Sequence, residues 1–246
     1  MPQYDARESP ARHGKVYLIG AGPGAADLIT VRGARILAQA DVVLHDALVT
    51  EDMLRLCPDA EKISVGKRSG RRSTAQTQIN QQLVECAKKY TMVVRLKGGD
   101  PMIFGRADEE LRALEAEGIE VEIIPGITAA LAAAASTRQP LTRRGIARSV
   151  AFFTSSTAPD HPEQTTLPDC DTLIQYMGGK EAAITAQKLL SQGRSPALPV
   201  VVVENCSLAN ERVLRLQLGE LEQGLAQCHG PVLVMIGEAL ALRKSQ

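Results

Sequence analysis

A chain of 246 residues and 26.4 kDa has room for one large α/β domain or two small ones, and it needs neither metal nor disulfides to be stable. Hydrophobic residues at 44% and charged residues at 23% exclude wholesale disorder and fibrous repeats. Lys+Arg (28) equal Asp+Glu (28), and aromatics reach only 3% with no Trp, so neither a global positive field nor base-stacking platforms argue for a nucleic-acid partner.

Residues 1–14 are polar, with Pro, Ser and Arg, and read as a flexible N-terminal extension without the apolar core of a signal peptide. No apolar run approaches the ~18 residues of a membrane span. Five widely spaced cysteines (Cys57, Cys86, Cys170, Cys206, Cys228) form no CxxC pair, and His13, His45, His161 and His229 show no ligand spacing. The expectation is a reduced, cytoplasmic protein without a metal site and without a membrane partner.

Residues 15–20 form a short apolar run ending on glycine, a strand buried on both faces. Helical spacing follows from Asp27 to Ala40, then a strand at 41–44, a short one at Ser64–Val65 and a stronger one at 91–99. Helices are expected over Glu51–Leu56, Gln76–Lys89 and Glu109–Glu117, with Gly118 as a stop. This alternation predicts a mainly parallel sheet covered on both sides. A strand ending at Ile124, the Pro125-Gly126 turn and Thr128 at the head of an alanine-rich helix mark a seam. Beyond it, 149–156, 172–177, 199–205 and 231–237 read as strands of a second sheet, and 157–170 as a loop. The fold class is therefore α/β, as two domains (15–125 and 126–246) with mainly parallel or mixed sheets. Ligands in such folds bind beyond the carboxyl ends of strands, and a cleft between domains is the expected site.

Gly20-Ala21-Gly22-Pro23-Gly24 directly follows the first strand. Glycines there let the backbone approach a ligand, although a merely tight turn also accounts for them. A dinucleotide fingerprint needs glycine at position 25, which is Ala, and Pro23 removes an amide that a pyrophosphate would use. Gly98-Gly99-Asp100 ends another strand as an open shelf with one fixed acceptor, unless Asp100 simply caps the next turn. Lys67, Arg68, Arg71 and Arg72 form one basic cluster, and Arg138, Arg143, Arg144 and Arg148 another; in a neutral chain they suit a polyanionic ligand. Arg106 and Glu109 lie one turn apart, the spacing of an intrahelical ion pair. Asp46 and Lys67 emerge near a sheet edge, as an acid/base pair or with Asp46 as a ribose acceptor. Met177 fills a core or walls a ligand with its thioether.

In order along the chain, GAGPG, ADLITVRGARILAQADVVLHDALV, VGKRSG, RLKGGDPMIFGRADEE, IIPGITAA, PLTRRGIA, YMG and VEN resemble the tetrapyrrole methyltransferase family from about residue 15 to 243, and within it the branch that C-methylates uroporphyrinogen III. The resemblance implies transfer of two methyl groups (to C2 and C7) from S-adenosylmethionine, giving precorrin-2 through precorrin-1, with S-adenosylhomocysteine as product and a homodimer as the assembly. Precorrin-2 then feeds sirohaem, cobalamin or haem d1. By motif it places Pro23, Gly98, Gly99, Asp100, Ile103, Thr128, Ala129, Met177 and Cys206 against the cofactor. Arg106, Glu109 and Arg144 fall on the octacarboxylate substrate, and Asp46 with Lys67 on an acid/base pair. Arg106 is a rival for the ring proton, at the cost of discharging a guanidinium. The family frequently reads Thr-Gly-His where this chain has Thr154-Ser155-Ser156, and Leu-Thr-His-Arg where it has Leu141-Thr142-Arg143-Arg144. The sequence carries no upstream dehydrogenase/ferrochelatase module, so the single-function form is expected. The alternatives are a sister methyltransferase acting on a later precorrin or on diphthamide, an NAD-dependent dehydrogenase, and a non-catalytic porphyrin-binding protein.

Overall fold

Alternation of side chains along the strands builds the first half of the chain. In the computed structural model, which describes residues 13–66, 76–155 and 166–242, the chain divides into two units between Ile127 and Thr128. The first contains β1 (Lys15–Gly20), α1 (Val31–Leu37), β2 (Val42–His45), α2 (Glu51–Leu54), β3 (Glu61–Ser64), α3 (Gln76–Lys89), β4 (Met92–Lys97), α4 (Ala107–Ala116) and β5 (Val121–Ile124). The five strands are all parallel, in the order β3-β2-β4-β1-β5. Val16, Leu18, Val42, Leu44 and Val93 pack with Ile79, Leu83 and Leu114 of α3 and α4. Ile19, Val43, Val94 and Leu96 pack with Leu37, Met53 and Leu54 of α1 and α2. Both faces are thus buried, as a parallel sheet requires.

Three expectations need correction. The single helix over Asp27–Ala40 is a 3-10 turn at Ala26–Leu28 followed by α1. Thr30 stays extended because its hydroxyl caps α1 by accepting from Gly33 N at 3.1 Å, which ends one segment and starts the next. The strand expected at Ser64–Val65 is β3, at Glu61–Ser64, whose exposed Glu61 and Lys62 on the sheet edge hide its pattern. The helix expected from Glu109 begins at Ala107.

The alternation that buries Val93 also turns Arg95 and Lys97 inward, toward α4. Arg95 and Lys97 are each 2% exposed and Glu110 is fully buried. Glu110 Oε1 accepts from Arg95 Nε at 2.9 Å and Oε2 from Lys97 Nζ at 2.8 Å. Arg95 Nη2 reaches the Asp46 carboxylate at 2.5 Å, just past the end of β2. Burial, and then the neighbouring Arg95, push the Lys97 ammonium below its ordinary range. For Arg95, burial works the other way from Asp46 and Glu110, and the two carboxylates win, holding the guanidinium firmly charged.

The second unit contains α5 (Ala129–Ser136), β6 (Val150–Thr154), β7 (Thr172–Tyr176), α6 (Ala182–Ser191), β8 (Pro199–Glu204), β9 (Arg212–Gln217), α7 (Leu218–Leu221) and β10 (Val232–Ile236). Its sheet runs β6-β7-β10-β8-β9, parallel only between β6 and β7. Phe153, Leu173, Val200, Val202, Val234 and Ile236 pack with Ala182, Ala186 and Leu189 of α6 and Leu218 and Leu221 of α7. Edge strand β9 was not expected: Arg212 and Arg215 put a charge on each face, and Val213, Leu214 and Leu216 all stay at least partly exposed, so no buried run marks it.

At the end of β8, Glu204 Oε1 accepts from His229 N at 2.6 Å and Gly230 N at 2.7 Å, and Oε2 from Arg212 at 3.1 Å. The Gly230 amide, then that of His229, hold this carboxyl below its ordinary 4.5. A depressed carboxyl stabilises the fold above its unfolded value and stops doing so as pH falls through the folded value. Thermal midpoints measured from neutral pH downward should therefore drop more steeply below that ordinary 4.5 in wild type than in Glu204→Gln; parallel curves would remove this assignment. Glu110→Ala should cost about 3–5 kcal/mol in urea unfolding, because two inward-facing cations lose their shared carboxylate. A loss under about 1 kcal/mol would mean the cations are hydrated.

Candidate functional site

Three neighbouring strands of the first unit reach glycines at their carboxyl ends: β1 ends on Gly20, β4 leads into Gly98-Gly99, and β5 into Pro125-Gly126. A Cβ on Gly20 would lie 2.5 Å from Gly126 Cα and 2.6 Å from Gly99 O, and one on Gly126 would strike the same Gly99 carbonyl. Gly22 and Gly99 exchange backbone hydrogen bonds, Gly22 N to Gly99 O at 3.1 Å and Gly99 N to Gly22 O at 2.7 Å. Both glycines hold positive φ (77° and 69°), so side chains there would be strained as well. The result is a ledge of bare main chain around Gly20–Gly24, Gly98-Gly99 and Pro125-Gly126. Thr50 ties the ledge to the loop before α2 by donating to Gly24 O at 3.3 Å.

Asp100 locks this arrangement. Its Oδ2 accepts from Gly126 N at 2.9 Å and its Oδ1 from Met102 N at 2.8 Å, so the carboxylate both caps the following turn and fastens β4's end to β5's. Neither oxygen is a free acceptor, although each keeps a second lone pair for a ligand. Beyond Asp100, Ile103 is half-buried, while Met102 and Phe104 are exposed at 55% and 44%. Phe104 and Arg106 both adopt left-handed backbone (φ 51° and 54°), a conformation that costs non-glycine residues energy and gathers at functional loops.

That bend makes the expected Arg106–Glu109 pair bidentate, with Nε to Oε1 at 2.6 Å and Nη2 to Oε2 at 2.8 Å, and leaves both side chains in contact with solvent. Asp46 sits where β2 ends. Its carboxylate is 30% exposed while its Arg95 partner is 3% exposed. A Cβ on Gly66 would come within 3.1 Å of the Asp46 carbonyl carbon, so the chain that runs on to Lys67 departs beside Asp46. Lys67 itself, with Arg68, Arg71, Arg72, Ser156 and His161, lies outside the described residues, as do residues 1–12 of the N-terminal extension.

In the second unit Thr128 occupies the position before α5, but its hydroxyl does not cap the helix. It pairs instead with the Tyr176 hydroxyl at 2.5 Å, and that hydroxyl accepts from Ala130 N at 3.2 Å. Tyr176 thus does the capping that the sequence suggested for Thr128. Met177 follows directly, left-handed (φ 56°) and 53% exposed, which rules out core filling. Cys206 comes after Asn205, also left-handed (φ 54°). Its buried thiol points at the Ala129 carbonyl at 3.9 Å and is pushed up to about 12 by burial, so it stays protonated and is not a nucleophile. Arg144 is exposed at the tip of the turn closed by Arg143 and Ala147, next to Gly145 (φ 77°).

No group of three or more His, Cys, Asp or Glu that could hold a metal occurs among the described residues, and no helix there is long and apolar enough to cross a membrane. The ledge amides of Ala21, Gly22, Gly99 and Gly126 are already bonded within the protein and Pro23 has none, while Asp100 keeps lone pairs and Leu48, Met102 and Phe104 are exposed apolar side chains. The ledge therefore suits a compact ligand carrying donors and a positive charge better than a pyrophosphate. An adenosyl sulfonium is such a ligand. The sequence reading missed Arg95, Lys97 and Glu110, whose placement inside a strand or helix was the only signal. It also missed Leu48, 61% exposed, whose Cβ would lie 3.3 Å from a Cβ on Gly98.

Residues 15–222 match the family model of the tetrapyrrole (corrin/porphyrin) methylases. Over 241 residues the chain is 44% identical to a sirohaem synthase of Pseudomonas fluorescens (strain SBW25), covering 96% of this chain and 52% of that one. It is 45% identical over 233 residues to sirohaem synthase 2 of Yersinia pestis (strain Pestoides F), covering 93% and 49%. The chain thus spans about half the length of these curated relatives. Among solved structures, the native uroporphyrin III C-methyltransferase of Thermus thermophilus superposes with a TM-score of 0.79 at 39% identity, covering 92% of this chain and 98% of that one. The same Thermus enzyme complexed with S-adenosylhomocysteine gives 0.78 at 38% identity, covering 92% and 93%. A cobalt precorrin-4 methyltransferase gives 0.79 at 28% identity, covering 96% and 100%. With its glycine-ended parallel strands and a motif match over most of its length, the chain belongs to the tetrapyrrole methylase family.

Proposed function

We propose that this chain moves two methyl groups from S-adenosylmethionine onto ring carbons of uroporphyrinogen III, giving precorrin-1 and then precorrin-2. The observation that carries the reading is the bare ledge at the ends of β1, β4 and β5, in a chain 39% identical to a uroporphyrin III C-methyltransferase. A later precorrin as substrate is the second reading, since the precorrin-4 enzyme superposes equally well; its 28% identity ranks it lower. A cytoplasmic homodimer without membrane or nucleic-acid partners completes the proposal.

S-adenosylmethionine supplies an electrophilic methyl carbon on a sulfonium. The chain's task is to hold donor and acceptor in line, keep water out and accept one proton, because a methyl displacement needs little else from a protein. Gly98, Gly99 and Ile103 give the cofactor main-chain acceptors, and Pro23 stiffens the opposite loop. Asp100 keeps that ledge assembled and retains lone pairs for the ligand. Thr128, Ala129, Met177 and Cys206 supply the second set of cofactor contacts, with Met177 exposed and Cys206 held neutral. Arg144 and the Arg106–Glu109 pair serve the substrate's carboxylates, which match guanidinium in bidentate geometry. Asp46 accepts the ring proton, with Lys67 as its acid partner.

Incubation with labelled S-adenosylmethionine and freshly reduced uroporphyrinogen III, read by mass spectrometry, should show a product carrying two added methyl groups. Methylation confined to a later precorrin would select the second reading, and failure to methylate any tetrapyrrole would defeat both.

A further inference from the structure

We propose that Arg95, anchored by Glu110, is the positioning residue that fixes the Asp46 carboxylate for proton removal; the inference rests on the methyl-transfer reading above. Glu110 already has a cation in Lys97, 2.8 Å away and equally buried. Neutralising Glu110 therefore does not require Arg95. What Arg95 adds is reach, from a fully buried carboxylate to one that is 30% exposed.

Its fork is committed at every nitrogen. Nε donates to Glu110 Oε1 at 2.9 Å and Nη2 to Asp46 Oδ1 at 2.5 Å, while Nη1 donates to Leu96 O at 3.2 Å and Leu44 O at 3.4 Å. The two carbonyls belong to adjacent strands β2 and β4, so the guanidinium plane is set by the sheet itself. Asp46 is held on the same frame through its amide, which donates to Leu96 O at 3.3 Å. With all four side chains ionised, Arg95 and Lys97 balance Glu110 and Asp46, and the cluster carries no net charge into the low-dielectric interior. Asp46 is left 30% exposed with one carboxylate oxygen already engaged by Arg95.

In the reaction the ring carbon bonds to the methyl carbon while the sulfonium sulfur keeps the electrons of the broken S–C bond. The ring is left cationic and becomes neutral by losing one proton, which the Asp46 carboxylate takes as its own O–H. A base for that step must point the same way in every turnover, and Arg95 supplies the direction.

Arg95→Lys keeps the charge but replaces the fork with a single nitrogen that does not span Glu110, Asp46 and two carbonyls. Methyl-transfer kinetics with uroporphyrinogen III would be compared in wild type, Arg95→Lys, Asp46→Asn and the double variant. The expectation is a fall in kcat of about 10²-fold for Arg95→Lys, with KM for both substrates within about 2-fold. Adding Arg95→Lys to Asp46→Asn should cost nothing further, because the two residues act as one unit. Unchanged S-adenosylhomocysteine affinity verifies the fold; if Arg95→Lys fails to fold, Glu110→Gln takes its place with the same non-additivity expected. An unaltered kcat in either single variant, or losses that multiply in the double variant, overturns the inference while leaving the methyltransferase reading intact. A wild-type chain that transfers no methyl group overturns both.

Discussion

Backbone meets backbone at the ends of β1, β4 and β5, at a separation that leaves no room for a side chain. Gly20, Gly99 and Gly126 approach so closely that a Cβ on either Gly20 or Gly126 would overlap its neighbour's main chain. Strand ends in parallel sheets normally diverge into loops with side chains between them. Here they converge, and Asp100 holds the convergence by accepting from Gly126 and Met102. The same region leaves apolar Met102, Phe104 and Leu48 at the surface. Left-handed Phe104 and Arg106 are the local cost of turning the chain from this ledge into α4.

Behind the ledge, the same strand that supplies Gly98 and Gly99 carries two cations inward. Arg95, Lys97 and Glu110 would be a poor device for stability alone, since burying ions costs several kcal/mol of desolvation before their attraction offsets it. Their value is geometric. A guanidinium bonded to two strands and one helix turns β4 into a fixed reference for the Asp46 carboxylate, so one strand both ends in the glycine ledge and holds Asp46. In the second unit the Tyr176 hydroxyl organises Thr128 and the start of α5, and backbone amides fix Glu204 at the end of β8.

Much of the architecture was legible from residue patterning. β1, β2, β4 and α3 carry strong periodicity, and the α3 limits agree with the pattern because Ile79, Leu83 and Cys86 face one core. Weakly patterned elements were misjudged or missed. β3 and β9 lie at sheet edges, where one face and one flank meet water, so charged residues are tolerated and the apolar signal fades. Capping by Thr30 broke a helical pattern that looked continuous. The glycine pairs and Asp100 stood out at strand ends, but the sequence left a tight turn and a simple cap open, and Asp100 does cap the next turn while also bonding Gly126. Arg95 and Glu110 did not stand out, because a charged residue within a strand or an acidic helix turn usually faces solvent, and only the three-dimensional pairing shows otherwise.

On the proposed function, S-adenosylmethionine rests on bare main chain at the carboxyl ends of β1, β4 and β5. The sharpest test is a crystal structure of the protein soaked with S-adenosylhomocysteine. Ligand density should lie within hydrogen-bonding distance of main-chain atoms of Gly98, Gly99 or Ile103, with Asp100 still bonded to Gly126. Density at the amino ends of those strands, or on the α3–α4 face of the sheet, would contradict it.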